Sequence, residues 1–318
     1  MSFRIIGTGS ALPACRITND DLSNLVDTSD EWITTRTGIR ERPILTTESV
    51  TEIAVAAARN ALENSGISPA DLGYIVCPTL GGDYMTPSLA CVVQMELQAN
   101  CPAVDVNGAC SGFLYALDVA DGIFARGKAR YVLVLAAERL SRILDWSDRS
   151  TCVLFGDAAA AVVLEAGDAL HYLEVTARGN LCLASPLAPG SCPYTEPDTR
   201  KPGLLMKNRE VYAFAVNTIS SSLKKAAEET GISMEETDYF FLHQANLRII
   251  ETARKKLGLP EEKFPVNIQK YGNTSSASIP LLLDEWNRAG KLKKGQHLVL
   301  CAFGAGLTTG LAALDWDI

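Results

Sequence analysis

The chain reads as an α/β protein of two similar halves stacked in layers, and three observations carry that reading. A segment of the first half recurs in the second, apolar strands alternate with helix-patterned stretches, and each half closes on Gly-punctuated apolar strands. The recurrence is clearest between residues 62–76 and 227–241, an offset of 165 in a chain of 318. Each segment is a helix end, a Gly stop, a short linker and an apolar strand, with Gly-Ile-Ser and the strand-leading Tyr in register. The halves are placed at residues 1–168 and 169–318.

Carrying the offset forward pairs position 110 with 275. Around 110 the order is a strand over 103–106, a small-residue turn over 107–112, an apolar helix over 113–124, a basic linker (Arg126, Lys128, Arg130) and a strand over 131–136. Around 275 it is a strand over 266–268, a turn over 272–276, a helix over 277–288, a basic linker (Lys291, Lys293, Lys294) and a strand over 298–302. The halves are therefore expected to match element for element. The run 131–135 is apolar throughout, which predicts a strand covered on both faces. The strands at 158–164 and 307–314 are expected as antiparallel additions, and residues 185–202, rich in Pro, Ser and Gly, as a loop.

Composition removes several classes. A chain that is 47% hydrophobic and 21% charged, with 24 Gly and 14 Pro, is ordinary globular protein rather than disordered or fibrous. No apolar run reaches the roughly 20 residues of a membrane span, and the N-terminus lacks a signal-peptide profile, so a cytoplasmic location without a membrane partner is expected. A net charge of −8 argues against a nucleic-acid partner. The nine cysteines are odd in number, scattered and free of Cys-x-x-Cys pairs, which predicts reduced thiols rather than a disulfide framework or a zinc site. Only three histidines (171, 243, 297) are present, and no metal centre is expected.

Three positions carry chemistry. Cys110 follows a strand and opens a helix, where unpaired backbone N–H groups and the positive end of the dipole are expected to lower its pKa and expose its sulfur. His243 ends an apolar strand over 239–242 and precedes a helix over 247–257, the strand end at which α/β sheets place functional groups. Asn273 lies in the turn that repeats the Cys110 turn. Singly, each has a plainer reading: a cysteine packed in the core, a histidine bonded locally, an asparagine capping a helix. Together they form a thiolate nucleophile with imidazole and amide partners, a constellation suited to acyl transfer.

These residues carry a resemblance over essentially the whole chain. Residues 30–42, 108–113, 155–159, 243–246, 271–275 and 303–306 resemble, in order, six motifs of the β-ketoacyl-acyl-carrier-protein synthase III family, the initiating condensing enzymes of bacterial fatty-acid synthesis. The resemblance implies a thiolase-like fold, layered α-β-α-β-α with pseudo-twofold symmetry. It implies that Cys110 is acylated by a short acyl-CoA, and that malonyl-acyl carrier protein then loses CO₂ and condenses with the acyl group to give 3-ketoacyl-carrier protein. His243 and Asn273 would stabilise the enolate, and the backbone N–H groups of Cys110 and Gly306 would form the oxyanion hole for the acyl-cysteine. The CoA adenine would lie between Trp32 and Arg149, with Thr28 and Arg36 on the nucleotide. Carrier protein would dock on Arg248, Arg254, Lys255 and Lys256. Met85 and Thr86 would reach into the acyl pocket of a homodimer partner, and no cofactor beyond the substrates is implied.

Departures and rivals sharpen this reading. Asn273 stands where chain-elongating synthases carry a second histidine. Cys301 is one residue off the second cysteine of thiolases, which aligns with Ala302 and so faces the other side of a strand. Arg209 aligns with an asparagine that helps bind pantetheine in many members, so that role is not transferred, and no motif encodes the primer. The alternatives are a 3-hydroxy-3-methylglutaryl-CoA synthase or specialised-metabolite acyltransferase of the same fold, a papain-like hydrolase, and a catalytically silent carrier-binding module.

Overall fold

The structure is a computed structural model and describes residues 2–187, 194 and 203–318. In chain order the first half supplies β1 (Ser2–Ala11), β2 (Arg16–Thr18), α1 (Asn19–Ser23), α2 (Asp30–Thr37), β3 (Glu41–Pro43), α3 (Val50–Ser65), β4 (Tyr74–Pro78), α4 (Leu89–Leu97), β5 (Ala103–Val106), α5 (Gly112–Ala125), β6 (Tyr131–Glu138) and β7 (Ala158–Gly167). The second supplies β8 (Leu170–Asn180), β9 (Leu183–Ala184), β10 (Leu205–Met206), α6 (Asn208–Thr230), β11 (Tyr239–Leu242), α7 (Leu247–Leu257), α8 (Ile268–Tyr271), α9 (Ser278–Arg288), β12 (His297–Gly304) and β13 (Gly306–Asp315).

Two sheets hold the fold. One runs β1-β7-β6-β4-β5 and the other β8-β13-β12-β11, so β7 answers to β13, β6 to β12 and β4 to β11. β7 is antiparallel to both β1 and β6, and β13 to both β12 and β8, as the Gly-punctuated closing strands predict. The Gly stops of the repeat are Gly66 and Gly231, whose φ of 69° and 72° end α3 and α6 in the left-handed cap that glycine adopts without strain.

One expected strand is absent. Residues 266–268 form no strand, so β5 has no counterpart and the halves do not match element for element. The segment docks by side chains instead of by a ladder. Phe264 stacks on Phe240 with ring centroids 5.0 Å apart, Asn267 N donates to Gln244 Oε1, and Ile268 is fully buried as it opens α8.

Three apolar clusters make the layers. The central one sandwiches α5 and α9 between the inner faces of the two sheets, with Phe113, Leu117 and Phe124 from α5 meeting Leu282 and Leu283 from α9. A second packs α3 and α4 on the outer face of the first sheet, and a third packs α6 and α7 on the outer face of the second. The result is the α-β-α-β-α stack. Each large apolar side chain buried there contributes about 1.5–3 kcal/mol, and the packing fixes the starts of α5 and α9 side by side at the ends of β4, β6, β11 and β12. β12 also shows the alternation expected at 301–302: Cys301 lies in the outer cluster and Ala302 in the central one.

Candidate active site

The turns that open α5 and α9 are built alike. Ala109–Ser111 and Ser275–Ala277 are single 3-10 turns, each led by a non-glycine residue with positive φ, Ala109 at 47° and Ser275 at 53°. Two residues ahead of each, an asparagine side chain accepts from the backbone: Asn107 Oδ1 from Ala109 N at 3.3 Å, Asn273 Oδ1 from Ser275 N at 2.9 Å. The offset here is 166 rather than 165, because the stretch from the leading Tyr239 of β11 to Ser275 is one residue longer than that from Tyr74 of β4 to Ala109. Cys110 is therefore equivalent to Ser276 rather than to Ser275, and Asn273 to Asn107.

What faces the two turns differs. Beside Cys110 ends β12, whose Gly304 has no side chain, and a Cβ there would lie 2.7 Å from Cys110 N. Beside Ser276 ends β6 in Glu138, whose Oε1 accepts from Ser276 Oγ at 2.6 Å and whose Oε2 accepts from Leu80 N at 3.0 Å. Glycine leaves room at the cysteine, and a carboxylate fills the equivalent room at the serine. The start of β13 is sewn to the cysteine turn by Thr308 Oγ1, 3.1 Å from Gly108 O and 2.9 Å from Ala305 O.

The helix start does not by itself activate the thiol. Burial pushes Cys110 up to about 12, the neighbouring Ser275 hydroxyl acts in the opposite direction, and the Glu138 carboxylate raises it further. This corrects the lowered pKa expected from placement at a helix start. Burial likewise raises Glu138 to about 7, against hydrogen bonds from Ser276 and Leu80 that favour its charged form.

His243 continues β11: its N–H donates to Cys301 O at 2.9 Å, which fixes the strand end, and its ring stands edge-on to Phe303 at 5.3 Å. The ring is buried and held neutral, its pKa pushed down to about 3 by desolvation. Ser278 Oγ accepts from Gln244 N at 3.4 Å and lies 2.7 Å from His243 Nδ1, a contact in which the hydroxyl can donate to that nitrogen. In that arrangement the neutral ring carries its hydrogen on Nε2, a donor for the cavity. Asn273 is clamped through its backbone, N donating to Leu154 O at 2.8 Å and O accepting from Gly156 N at 3.0 Å. That approach needs glycine: a Cβ on Gly156 would fall 2.3 Å from Tyr271 O. With Oδ1 engaged by Ser275, the amide offers its Nδ2–H group to the cavity.

Cys110, His243, Asn273 and Gly306 line one cavity of about 860 Å³, whose wall also includes Trp32, Arg36 and Arg149. The wall thus brings a thiol, an imidazole, an amide, an indole and two guanidiniums into one concave site. The chain matches the family model described as 3-oxoacyl-[acyl-carrier-protein (ACP)] synthase III over residues 104–179, and that of the C terminal of the same enzyme over residues 227–316. It is 45% identical to the β-ketoacyl-[acyl-carrier-protein] synthase III of Clostridium acetobutylicum, covering 99% of each chain. It is 46% identical to that of Aquifex aeolicus, over 99% of this chain and 100% of the relative. The crystal structure of the Aquifex aeolicus synthase superposes with a TM-score of 0.92 at 44% identity, over 99% of this chain and 100% of that one. The chain belongs to the β-ketoacyl-[acyl-carrier-protein] synthase III family. It is an acyl-transferring condensing enzyme with the thiolase fold.

In this synthase the remaining expected residues divide. Two guanidiniums lie over the Trp32 ring, Arg36 Cζ at 4.6 Å and Arg149 Cζ at 5.2 Å from its centroid, and Arg149 Nη1 donates to Asp27 O at 2.5 Å. Thr28 is not among the residues of the cavity wall, and its Oγ1 is buried without a hydrogen-bond partner among the described residues. Arg248 stands exposed at the cavity wall. Arg254 is withdrawn from the expected basic patch, since it donates to Glu251 Oε2 at 2.7 Å and to Leu259 O at 3.2 Å and so closes the C-terminal end of α7. Lys255 is exposed beside Glu251, and Lys256 donates to Asn217 Oδ1 at 3.2 Å. Met85 is 95% exposed and Thr86 is exposed with it; neither lines this chain's own cavity. Most of the 185–202 loop lies outside the described residues, though Ser185 is at the wall.

Two residues that bear on the site receive no role from the sequence. Asn208, one position before Arg209, lines the cavity and supplies an amide near where the family asparagine was sought. Arg42, fully buried, donates to Asn19 Oδ1 at 2.8 Å and Val153 O at 2.9 Å, tying α1 to the segment that clamps Asn273; burial lowers it to about 10. Away from the cavity, His171 and His297 converge on Asp315 Oδ1 at 3.0 and 2.5 Å, so two of the three histidines cluster where their small number argued against any such group. No helix among the described residues is long and apolar enough to cross a membrane.

Proposed function

We propose that this enzyme initiates fatty-acid synthesis by condensing a short acyl-CoA primer with malonyl-acyl carrier protein, through an acyl group carried on Cys110. The sulfur bonds to the thioester carbon and CoA leaves. The malonyl thioester then loses CO₂, and its enolate attacks the acyl carbon and releases the cysteine and the 3-ketoacyl product. The observation that carries the reading is the convergence of Cys110, His243 and Asn273 on one cavity whose wall also holds Trp32 and Arg149. The neutral His243 and the Asn273 amide offer N–H donors to the enolate oxygen, worth about 10²–10³ in rate each, while the backbone N–H groups of Cys110 and Gly306 receive the oxyanion of the acyl-cysteine.

In this scheme the adenine inserts between Trp32 and Arg149. Two stacking contacts need a gap of ~7 Å between the planes, so Arg149, at 5.2 Å now, swings away from the indole as CoA enters. Arg248 and Lys255 are the cations α7 offers to an acidic carrier protein. The exposed Met85 and Thr86 reach the acyl pocket of a second copy in a homodimer and set primer length there. The protein works in the cytoplasm as two fused halves divided near residue 168, with no cofactor beyond its substrates.

The test separates the two steps. Cys110→Ala abolishes transfer of acyl groups from CoA to the protein, read as an intact-mass adduct. His243→Ala and Asn273→Ala keep the adduct and lose CO₂ release from malonyl-carrier protein by about 10²–10³. Equal loss of both steps in all three variants contradicts the assignment.

A further inference from the structure

The second sheet ends, away from Cys110, in a carboxylate faced by two imidazoles. β12 begins at His297, which pairs with Asp315 at the end of β13. The strand then runs about 24 Å before it reaches Gly304 beside the nucleophile. His297 and Asp315 both point to the outer face of the sheet, because Val299 and Ala313, two residues along, belong to the outer cluster while Leu298 and Leu314 belong to the central one. β8 joins them through a bulge. Its ladder with β13 steps from Tyr172 opposite Ala313 to Leu170 opposite Leu314, which leaves His171 as the extra residue. A bulge of this kind re-aims a side chain, and here His171 Nε2 comes to 3.0 Å from Asp315 Oδ1. His297 Nδ1 lies 2.5 Å from the same oxygen, the two rings are 6.2 Å apart, and one atom from each of the three residues falls within 4.8 Å of the others.

The corresponding place in the first sheet is closed. Tyr131 pairs with Glu165 as His297 pairs with Asp315, but Glu165 is held by Arg4 at 2.7 Å and Arg130 at 3.1 Å. A guanidinium only donates and cannot ligate a cation, whereas each neutral imidazole offers a lone pair once its hydrogen sits on the outward nitrogen.

We propose that His171, His297 and Asp315 form a binding site for a divalent first-row transition ion of the zinc class. Two imidazole nitrogens and a carboxylate oxygen are ligands such ions take, and solvent fills the fourth position. Tetrahedral coordination at about 2.0–2.1 Å sets the ligand atoms about 3.3 Å apart, so the carboxylate draws back slightly from both rings and the rings approach each other. The side chains are 33–39% exposed, which leaves them room to turn and gives the ion a way in. His297 is steadied from behind, its backbone N donating to Asp238 Oδ2 at 2.8 Å. None of the three ligands lines the cavity, so no step of the condensation passes through the ion. It would instead tie three adjacent strands, β8, β13 and β12, at the sheet end remote from the nucleophile. The small number of histidines spoke against a metal centre, but the fold brings two of the three together.

The site does not depend on the proposed reaction. Its test is equilibrium dialysis of the full-length, tag-free enzyme against Zn²⁺, with the accessible thiols alkylated beforehand, and with bound metal counted by atomic emission. The wild type should hold one equivalent, and its melting temperature should rise with Zn²⁺ but not with Mg²⁺. His171→Gln and His297→Ala should each weaken binding at least about tenfold and abolish the rise, while their metal-free melting temperatures report that they fold. X-ray absorption at the zinc edge should show nitrogen and oxygen neighbours without sulfur. Binding of equal strength in both variants, sulfur in the coordination shell, or no bound zinc in the wild type would each overturn the site.

Discussion

Two turns of the same backbone, at Cys110 and at Ser276, do opposite things. Each has an asparagine two residues before a positive-φ position, a 3-10 turn and a buried helix. One presents a thiol to a cavity, and the other ties a hydroxyl to a buried carboxylate. The difference lies in the neighbouring strand end, Gly304 in one case and Glu138 in the other, so the active site of this synthase is one half of a symmetric structure with the other half plugged. Asn273 shows the complementary lesson: the half that lacks the nucleophile still contributes, because its asparagine leads into the shared cavity while its serine does not.

The largest effect on this contrast should come from filling the open side. Gly304→Val would put a branched side chain where even a Cβ lies 2.7 Å from Cys110 N, so the turn must move. Acyl transfer from CoA should drop by at least about 10², the penalty of losing an aligned oxyanion donor, with the melting temperature measured alongside to show that the fold persists. A smaller effect should come from Ser278, which is equivalent to Gly112 and sets the tautomer of His243 from the plugged side. Ser278→Ala removes a neutral hydrogen bond worth about 1 kcal/mol. CO₂ release from malonyl-carrier protein should fall roughly five-fold while acylation of Cys110 is unchanged; a loss of acylation instead would place Ser278 on the nucleophile's side.

Much of this is legible in the residues. The repeat, the two central helices and the closing antiparallel strands follow from patterning, because a strand covered on both faces must be apolar throughout and a helix must stop at its Gly. Cys110 and His243 stand out because each sits where a strand gives way to a helix, and Asn273 because its turn repeats the Cys110 turn. The strand expected at 266–268 fails for a physical reason: three residues are too few for periodicity to separate a strand from docked side chains. Arg254 also shows the plainer reading of a cation near a helix C-terminus, since it bonds to Glu251 and to the Leu259 carbonyl just past the helix. Glu138 passes unnoticed at the end of an apolar strand. Its signal was the repeat, since shifting Gly304 back by 166 residues lands on it, but the offset of 165 read from the helix and strand segments misses by one. The raised thiol pKa has no sequence signature at all, because it depends on how deeply the turn is buried.

The central claim, that equivalent turns differ only by what their neighbouring strand leaves open, is tested most directly by giving the plugged turn its own thiol. Ser276→Cys, incubated with acyl-CoA and mapped by peptide mass spectrometry, should carry the acyl group at Cys110 and nowhere else, leaving position 276 unmodified. An acyl group at position 276 would contradict the account, as would an absence of label at Cys110 in the wild type.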